Sequence, residues 1–365
     1  GPSSGCATSA CPVSAPPVTT EIAWAVLLAC QVVLLAVMLF DGLELTEVVW
    51  TDRWRRRFEP ARGTPGPDAP KVSVHVPCYN EPPHMVMQTL NALAKLDYPN
   101  FEVLIIDNNT RDEAVWRPVE AFCHQLGDRF RFFHLPKWPG YKAGALNFGL
   151  DHTAPDAEIV AVIDSDYQVA PDWLSATVPY FQRAEVGFVQ SPQDYRDWGH
   201  DTFQAMCNWE YQGFFKIGMI QRNERNAIIQ HGTMTLIRRA ALEGAGGWAE
   251  WCICEDSELG LKLMRQGWEA VYVPDSMGRG VMPDDFAAYR KQRHRWAFGA
   301  VQIVKGHWRA LLNPFDRSLS QGQRFHFVMG WMPWFGDALG LAFVIGGLFW
   351  SLGLTLLPLT NELHY

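Results

Sequence analysis

The sequence predicts an α/β domain, built on a mostly parallel sheet with helices on both faces and flanked by two transmembrane helices. Two observations predict it. Short apolar runs alternate with segments of helical spacing between residues 71 and 190, which is typical of a parallel sheet covered on both faces. Two long hydrophobic runs lie outside this region, at 22–40 and 338–358, and each is long enough to cross a bilayer core as a helix.

The elements of the sheet domain follow one another in a regular order. Strands are predicted at 71–76, 101–107, 129–135, 158–164 and 186–190, and helices at 85–96, 113–126, 143–152 and 172–183. Parallel sheets bind ligands beyond the carboxyl ends of their strands. Polar side chains occur at these predicted ends, at Tyr79, Asn80, Glu81, Asp107, Asp164, Asp166 and Gln193. The first strand is not followed by a GxGxxG motif, which argues against a dinucleotide-binding fold.

The hydrophobic runs predict a multi-pass protein of the inner or plasma membrane. The first run is interrupted only by Gln31, and no basic residue precedes it, unlike a signal peptide. The basic segment 53–57 follows it, so the positive-inside rule places the N-terminus outside and the sheet domain in the cytoplasm. Basic residues before the second run, at 305, 309, 317 and 324, give the same orientation. A buried core helix is the alternative for either run.

Five segments are predicted along the chain. They are a flexible tail at 1–20, a transmembrane helix at 21–45, the cytoplasmic domain at 51–310, an interfacial segment at 311–337 and a transmembrane helix at 338–358. The interfacial segment is rich in tryptophan and contains Pro333, which predicts an interruption of any helix there. Asp337 beside the second span indicates a polar cavity rather than lipid.

Composition narrows the classes of function. The net charge of −8 over 365 residues argues against a general nucleic-acid-binding protein. The 16 tryptophans are typical of proteins that bind sugars or lie at membrane interfaces. The eight cysteines are scattered without zinc-ribbon spacing, so we expect buried or reduced thiols.

Two acidic motifs suit catalysis. Asp164 and Asp166 follow an apolar strand, and residues two apart in extended backbone point the same way, so the pair suits a hard divalent cation shared with phosphates. A solvated turn or helix cap is the alternative. Glu255 and Asp256 precede a helical run, where they could cap the helix or supply a general base. Lys142, at a predicted helix start, could neutralise a phosphate or be an ordinary surface lysine.

A basic and aromatic cluster, "YRKQRHRWAFG", occupies residues 289–299. If this segment is helical, Gln292, Arg295 and Trp296 share one face at three- and four-residue spacing, and that face could meet a diphosphate and a sugar together. The remaining charged residues, at Arg290, Lys291, Arg293 and His294, are expected at the sides or back as packing, solvated or membrane-surface groups. A solvated basic helix face is the alternative for the whole cluster.

These motifs together resemble those of the family 2 inverting glycosyltransferases. "PCYNE", Asp107 in "DNNT", "KAGALN", "DSD", "ED" and "QRHRW" occur in the order and spacing of the processive membrane enzymes, the cellulose, chitin, hyaluronan and β-1,3-glucan synthases. The stretches at 190–197, 210–241 and 253–261 are most similar to cyclic β-glucan synthases of the NdvB type. The resemblance implies a GT-A fold of the Rossmann type and covers nearly the whole chain after residue 20.

The resemblance also implies roles for individual residues. Asp256 would be the catalytic base, with Glu255 beside it, and Asp164 and Asp166 would bind Mg²⁺ or Mn²⁺. The donor, UDP-glucose, would be bound by Pro77, Tyr79, Asn80, Glu81, Asp107, Lys142, Asp164, Gln292 and Arg295. The acceptor polysaccharide would be bound by Trp296, His231, Gly232 and Thr233.

The implied function is transfer of glucose from UDP-glucose to a growing β-glucan, β-1,3-linked, by a metal-dependent single displacement coupled to secretion at the membrane. Three alternatives remain: another β-polysaccharide synthase, a non-processive polyprenyl-phosphate glycosyltransferase, and a membrane-anchored nucleotide-binding scaffold. The sequence departs from the family at Cys254, where threonine is usual, and in having one span after the domain. A further membrane subunit or a homo-oligomer is therefore an expected partner, whereas nucleic acid is not.

Overall fold

The computed structural model describes residues 18–50, 53–199, 201–313 and 315–362. The chain divides into two compact units, one formed by residues 1–42 and 332–365 and the other by residues 43–331. The tail predicted at 1–20 lies outside the described residues except for its last three positions.

The described residues of the larger unit form ten strands in two sheets. They are β1 (Lys71–Cys78), β2 (Phe101–Asn108), β3 (Phe130–Leu135), β4 (Ala157–Val162), β5 (Gln168–Val169), β6 (Val186–Gln190), β7 (Asp194–Tyr195), β8 (Thr235–Arg238), β9 (Glu269–Tyr272) and β10 (Gly278–Gly280). The main sheet has seven strands in the order β3-β2-β1-β4-β8-β6-β9, and β5, β10 and β7 form a small second sheet. In the main sheet β8 runs antiparallel to both of its neighbours, whereas the other pairs are parallel.

Eleven α-helices occur in the described part of the chain. They are α1 (Val18–Trp50), α2 (Pro83–Leu93), α3 (Glu113–Leu126), α4 (Tyr141–Asp151), α5 (Trp173–Thr177), α6 (Thr202–Gly213), α7 (Met219–Glu224), α8 (Arg239–Gly244), α9 (Glu255–Arg265), α10 (Phe286–Leu312) and α11 (Gln321–Glu362). A 3₁₀ turn at Val178–Gln182 follows α5, and a π-helical turn at Phe214–Gly218 joins α6 to α7.

The core forms on both faces of the main sheet. One apolar cluster places Leu90 of α2 and Val119 of α3 against the sheet, and a second places Leu146 of α4 and Leu259 of α9 against the opposite face. All eight residues of β2 are buried, because a strand covered on both faces cannot alternate between apolar and polar side chains. The α/β architecture with a mostly parallel sheet is thus confirmed.

Several boundaries differ from the sequence prediction for identifiable reasons. The helix predicted at 172–183 divides into α5 and the 3₁₀ turn, where Pro179 lacks the backbone N–H that a continuous α-helix would use. The sequence does not predict strand β8, because four residues are too few to show the alternation of apolar and polar side chains that marks a strand. The interruption predicted at Pro333 does not occur either, since α11 runs through it.

Among the described residues, two helices are long and apolar enough to cross a membrane, by length and composition. The candidate spans are Trp24–Trp50 and Gln321–Leu352, whose most apolar 18-residue stretches have mean hydropathies of 2.4 and 1.6. Within the smaller unit, the rings of Trp24 and Trp350 meet edge to face with centroids 4.5 Å apart. An ideal Cβ on Gly346 would lie 2.7 Å from Leu27 Cδ2, so the glycine permits close helix packing there.

A second close approach fixes helix α10 against the start of α9. An ideal Cβ on Gly299 would lie 2.8 Å from the Cys254 Cβ and would overlap its sulfur. The same sulfur lies 3.9 Å from the Arg295 carbonyl oxygen and 4.0 Å from that of Trp296. The backbone of α10 therefore rests directly on Cys254, the residue that precedes the two acidic side chains of α9.

We predict that Gly299→Ala lowers the free energy of unfolding by about 1–3 kcal/mol, because the added methyl group overpacks this contact. The matched control is Gly213→Ala at the end of α6, where an added Cβ meets nothing within 4 Å and alanine favours the helix. Thermal unfolding of the detergent-solubilised protein compares the two variants. Equal melting temperatures would contradict the packing described at Cys254.

Candidate active site

Several of the residues predicted to bind the donor lie at the carboxyl ends of neighbouring strands. Pro77 lies in β1 and Asp107 in β2, and Tyr79 and Asn80 follow β1, the former with a side chain that is 64% exposed. The Asn80 N–H donates to the Thr110 hydroxyl at 2.8 Å, and that hydroxyl donates to Asp107 Oδ1 at 2.6 Å. These two hydrogen bonds join the loops that follow β1 and β2.

A small cavity lies beside Asp107, lined in part by Cys78, Glu81, Trp116 and Phe132. The Nδ1 atom of His134 lies 2.7 Å from Asp107 Oδ2, and the His134 ring stacks on Trp116 with centroids 4.2 Å apart. Burial raises the pKa of Glu81 to about 7. Sequence reasoning does not identify Trp116 or His134; the signal that could find His134 is the β2–β3 register, which pairs it with Asp107.

Lys142 occupies the centre of the candidate site. Its ammonium group donates to Asp164 Oδ1 and, at 2.9 Å, to the carbonyl oxygen of Gly232. An ideal Cβ on Gly232 would lie 2.9 Å from Lys142 Nζ and 3.0 Å from Asp256 Oδ2. The loop before β8 thus brings together side chains from the start of α4, the end of β4 and the start of α9, and Gly232 is the residue that leaves room for them.

Lys142 and the carboxyl groups around it shift one another's pKa values. Burial acts to lower the pKa of Lys142, but the carboxylates of Asp164, Glu255 and Asp256 outweigh it and raise that pKa above its usual value. Burial also raises the pKa of both Glu255 and Asp256, and the Lys142 charge partly opposes this. The two carboxyl groups therefore hold their protons more tightly than exposed acids do, as a general base in a dry pocket requires.

Glu255 and Asp256 begin α9, as predicted, but conventional capping does not account for them. The N-cap residue is Cys254, which makes no side-chain capping hydrogen bond. Asp256 Oδ1 accepts from the N–H of Ser257 at 2.7 Å. Asp256 Oδ2 lies beside Gly232, close to the point that the Lys142 ammonium group also approaches.

Asp164 and Asp166 have the donor chemistry expected of a divalent metal site. Lys142 contacts one oxygen of Asp164, and the Val281 N–H donates to Asp166 Oδ2 at 2.9 Å. Burial and then the Asp164 charge raise the pKa of Asp166, which indicates that the pair is short of positive charge. Among the residues that the structure describes, no group of three or more His, Cys, Asp or Glu side chains could hold a metal. A cation here would therefore draw further ligands from phosphate oxygens and water.

Two of the three predicted binding residues on α10, Gln292 and Trp296, contact the same side chain, that of Tyr211 on α6. Gln292 Oε1 accepts from the Tyr211 hydroxyl at 2.7 Å, and the Trp296 ring meets the Tyr211 ring edge to face at 5.8 Å. The Arg295 side chain is exposed. Arg293 is not solvated or on a membrane-facing surface; it packs inside this cluster, its NH2 group 2.6 Å from Glu210 Oε2.

The predicted acceptor residues before β8 divide into two kinds. His231 lies against Phe214 and Phe215, with ring centroids 5.4 and 4.9 Å away, and burial lowers its pKa to about 4, so the ring is neutral at pH 7. Thr233 is fully buried, and its hydroxyl accepts from the N–H of Asp164 at 3.0 Å. Thr233 is thus placed to support Asp164, and the acceptor contact expected of it stays a prediction.

Comparisons with solved structures show the fold. The mannosyltransferase PcManGT from Pyrobaculum calidifontis, in complex with GDP-Man and Mn²⁺, matches with a TM-score of 0.66 and 20% identity over 92% of each chain. TarS 1–349 of S. aureus, in complex with UDP-GlcNAc, matches with a TM-score of 0.52 and 18% identity over 72% of this chain and 71% of that one. The GT-A architecture that the motifs imply is confirmed.

Proteins of similar sequence are named as glucomannan 4-beta-mannosyltransferases. Probable glucomannan 4-beta-mannosyltransferase 2 of Oryza sativa subsp. japonica is 26% identical over 336 residues, which cover 84% of this chain and 57% of the relative. Probable glucomannan 4-beta-mannosyltransferase 1 of Arabidopsis thaliana is 29% identical over 272 residues, 72% of this chain and 48% of the relative. The chain spans about half the length of these relatives, and their names do not support the expected NdvB-type subfamily.

The match to a family profile covers the whole sheet domain. Residues 69–299 match the profile described as "Glycosyltransferase like family 2". This range includes the strand-end carboxylates, Lys142, the Glu255–Asp256 pair and the α10 motif. The chain therefore belongs to glycosyltransferase family 2.

Proposed function

We propose that this protein is an inverting glycosyltransferase that moves a hexose from a nucleoside diphosphate sugar to a hydroxyl group of a growing β-polysaccharide at a membrane. The observation that carries the proposal is the meeting of Lys142, Asp164 and Asp256 around Gly232. A base, a cation and a metal-binding carboxylate within one small space are the groups that displacement of a diphosphate requires.

The reaction is a single displacement. The acceptor oxygen forms a bond to the anomeric carbon as the bond from that carbon to the diphosphate oxygen breaks, and its electron pair leaves with the diphosphate. Asp256 takes the proton from the acceptor hydroxyl. Attack from the face opposite the diphosphate converts an α-linked donor into a β-linked product.

The positive charges in the site stabilise the leaving group. Lys142 and Arg295 would balance the charge that develops on the diphosphate. Asp164 and Asp166 would hold Mg²⁺ or Mn²⁺, and when bound the ion would supply further positive charge to the diphosphate oxygens. The Mn²⁺ named with GDP-Man in the PcManGT structure supports divalent metal dependence without deciding between the two ions.

The donor that we propose is GDP-mannose and the product a β-linked mannan. Support comes from the mannosyltransferase names of the relatives and from the GDP-Man of the structural neighbour. UDP-glucose and a β-1,3-glucan are the second candidate, favoured by the stretches at 190–197, 210–241 and 253–261 that resemble glucan synthases. The exposed Tyr79 and the carboxylates of Glu81 and Asp107, at the ends of β1 and β2, are the groups that we expect to distinguish guanine from uracil.

The membrane is the proposed place of synthesis. Trp24–Trp50 and Gln321–Leu352 are long and apolar enough to span it, and the basic residues at 53–57 favour a cytoplasmic sheet domain. Trp296 lies on α10, the last helix before the second candidate span. In the sequence, the ring on which we propose that the acceptor stacks therefore comes shortly before the second candidate span.

We predict that membranes containing the protein release GDP from GDP-mannose and form a polymer sensitive to β-mannanase, and that EDTA abolishes both. The assay compares labelled GDP-mannose and UDP-glucose, each with Mg²⁺, with Mn²⁺ and with EDTA. Exclusive use of UDP-glucose, with a product digested by β-1,3-glucanase, would select the second candidate. Release of neither nucleotide would leave a nucleotide-binding scaffold as the better explanation.

We also predict that Asp256→Asn lowers kcat by about 10²–10⁴-fold, the usual contribution of a general base. Donor affinity should change little, because the amide keeps the size of the side chain. Isothermal titration with the donor in the presence of Mn²⁺ measures that affinity. The control is Glu113→Gln, which removes an exposed carboxylate paired with Arg117 on α3. Near-normal turnover by folded Asp256→Asn protein would exclude Asp256 as the base.

A further inference from the structure

Arg293 is a charged residue held inside the protein by aromatic rings. Its side chain is 11% exposed, whereas its neighbours Arg290 and Lys291 are exposed. Its guanidinium carbon lies 4.7, 4.6 and 4.5 Å from the ring centroids of Tyr211, Tyr289 and Trp296. Three rings around one guanidinium form an arrangement that we call the Arg293 cage.

The cage has an anionic partner as well. Arg293 NH2 lies 2.6 Å from Glu210 Oε2, and the Tyr289 hydroxyl donates to the same oxygen at 2.9 Å. Burial acts to lower the pKa of Arg293, but the surrounding tyrosines and Glu210 raise it above the usual value. The guanidinium therefore stays charged, as arginine does in proteins generally.

The cage joins two helices that are distant in sequence. Tyr289, Arg293 and Trp296 occupy one face of α10 at four- and three-residue spacing. Glu210 and Tyr211 are consecutive residues of α6. Because a planar guanidinium stacks on several rings while its N–H groups bind a carboxylate, it fixes the orientation of both helices in a way that a point charge cannot.

The orientation set by the cage extends to two predicted binding residues, Gln292 for the donor and Trp296 for the acceptor. Tyr211 donates to Gln292 and meets the Trp296 ring edge to face. Helix α6 leads directly into the π-helical turn, whose Phe214 and Phe215 rings pack on His231. The cage thus includes Trp296 itself, and it is connected to His231 through the few residues between Tyr211 and Phe214.

We propose that Arg293 is a positioning residue for the acceptor: it fixes Tyr211 and Trp296 so that the acceptor sugar is held in line with the base and the donor. This inference rests on the proposed function of the site. Arg293 contacts neither Asp164 nor Lys142, and its guanidinium lies directly on the Trp296 ring, so we expect its main effect on the acceptor. Loss of the guanidinium leaves the rings in place as hydrophobic groups but removes the cation that orders them.

The test separates use of the acceptor from use of the donor. Arg293→Met and Arg293→Lys are compared with wild type and with Arg290→Met, a change at an exposed position of the same helix. Each protein is assayed for release of GDP from GDP-mannose to water without acceptor, and for transfer to β-1,4-mannohexaose over a range of concentrations; UDP-glucose and laminarihexaose are used if wild type prefers that donor. Product length is measured by gel electrophoresis of labelled chains.

We expect Arg293→Met to raise the KM for the hexasaccharide about tenfold and to shorten the product, while GDP release to water stays within about twofold of wild type. Arg293→Lys should recover part of the loss, since it restores the charge without the planar stacking. Arg290→Met should match wild type in both assays.

Two results would overturn the proposal. An equal fall in GDP release to water and in transfer would mean that Arg293 supports the fold as a whole. Unchanged KM and product length would mean that the cage has no role in the acceptor site.

A second variant is used if thermal melting shows that Arg293→Met does not fold. Glu210→Gln, which weakens the cage from its exposed side, is then judged by the same criteria. If wild type turns over neither donor, the proposed function fails and this inference fails with it; if wild type is active and the variants match it, only the inference fails.

Discussion

The contact of Lys142 with Asp164 and with the Gly232 carbonyl is the interaction on which the rest of the site depends. Four carboxylates, Asp164, Asp166, Glu255 and Asp256, come from two different segments of the chain, and their mutual repulsion disfavours bringing them together. A single ammonium group placed between the segments offsets that repulsion. It also fixes the loop before β8, because its second hydrogen bond goes to backbone. The same cation therefore stabilises the local fold and lies where the proposed reaction needs positive charge.

The topology explains why this contact can form. Strand β8 enters the sheet antiparallel between β4 and β6, so its amino end lies beside the carboxyl end of β4. The loop that precedes β8, with Gly232 and Thr233, is thereby brought next to Asp164. The sequence predicts the parallel strands, because each is an apolar run followed by polar residues. It does not predict β8, because four residues carry too little pattern and their pairing is set by distant partners.

A similar limit applies to the candidate site. Strand-end residues such as Asp107 and Asp164 are predictable because parallel strands bring their carboxyl ends to one edge. Helical spacing also correctly places Gln292 and Trp296 on a shared face. Helical spacing does not show which residues of other helices pack against this face. In the sequence, Arg293 therefore looks like one more cation of a basic helix. Its burial depends on Glu210 and Tyr211, about eighty residues away, and no local pattern connects them.

The replacement at Cys254 follows from how closely α10 approaches α9. The sulfur faces two backbone carbonyl oxygens of α10 at 3.9 and 4.0 Å, oxygens that the helix already uses in its own hydrogen bonds. A thiol is a weak donor, so these long contacts with the carbonyl oxygens cost it little. Gly299 supplies the room for the sulfur on the facing helix. Cysteine and glycine thus act as a matched pair, and through them the position of the proposed base at the start of α9 is linked to that of Trp296 on α10.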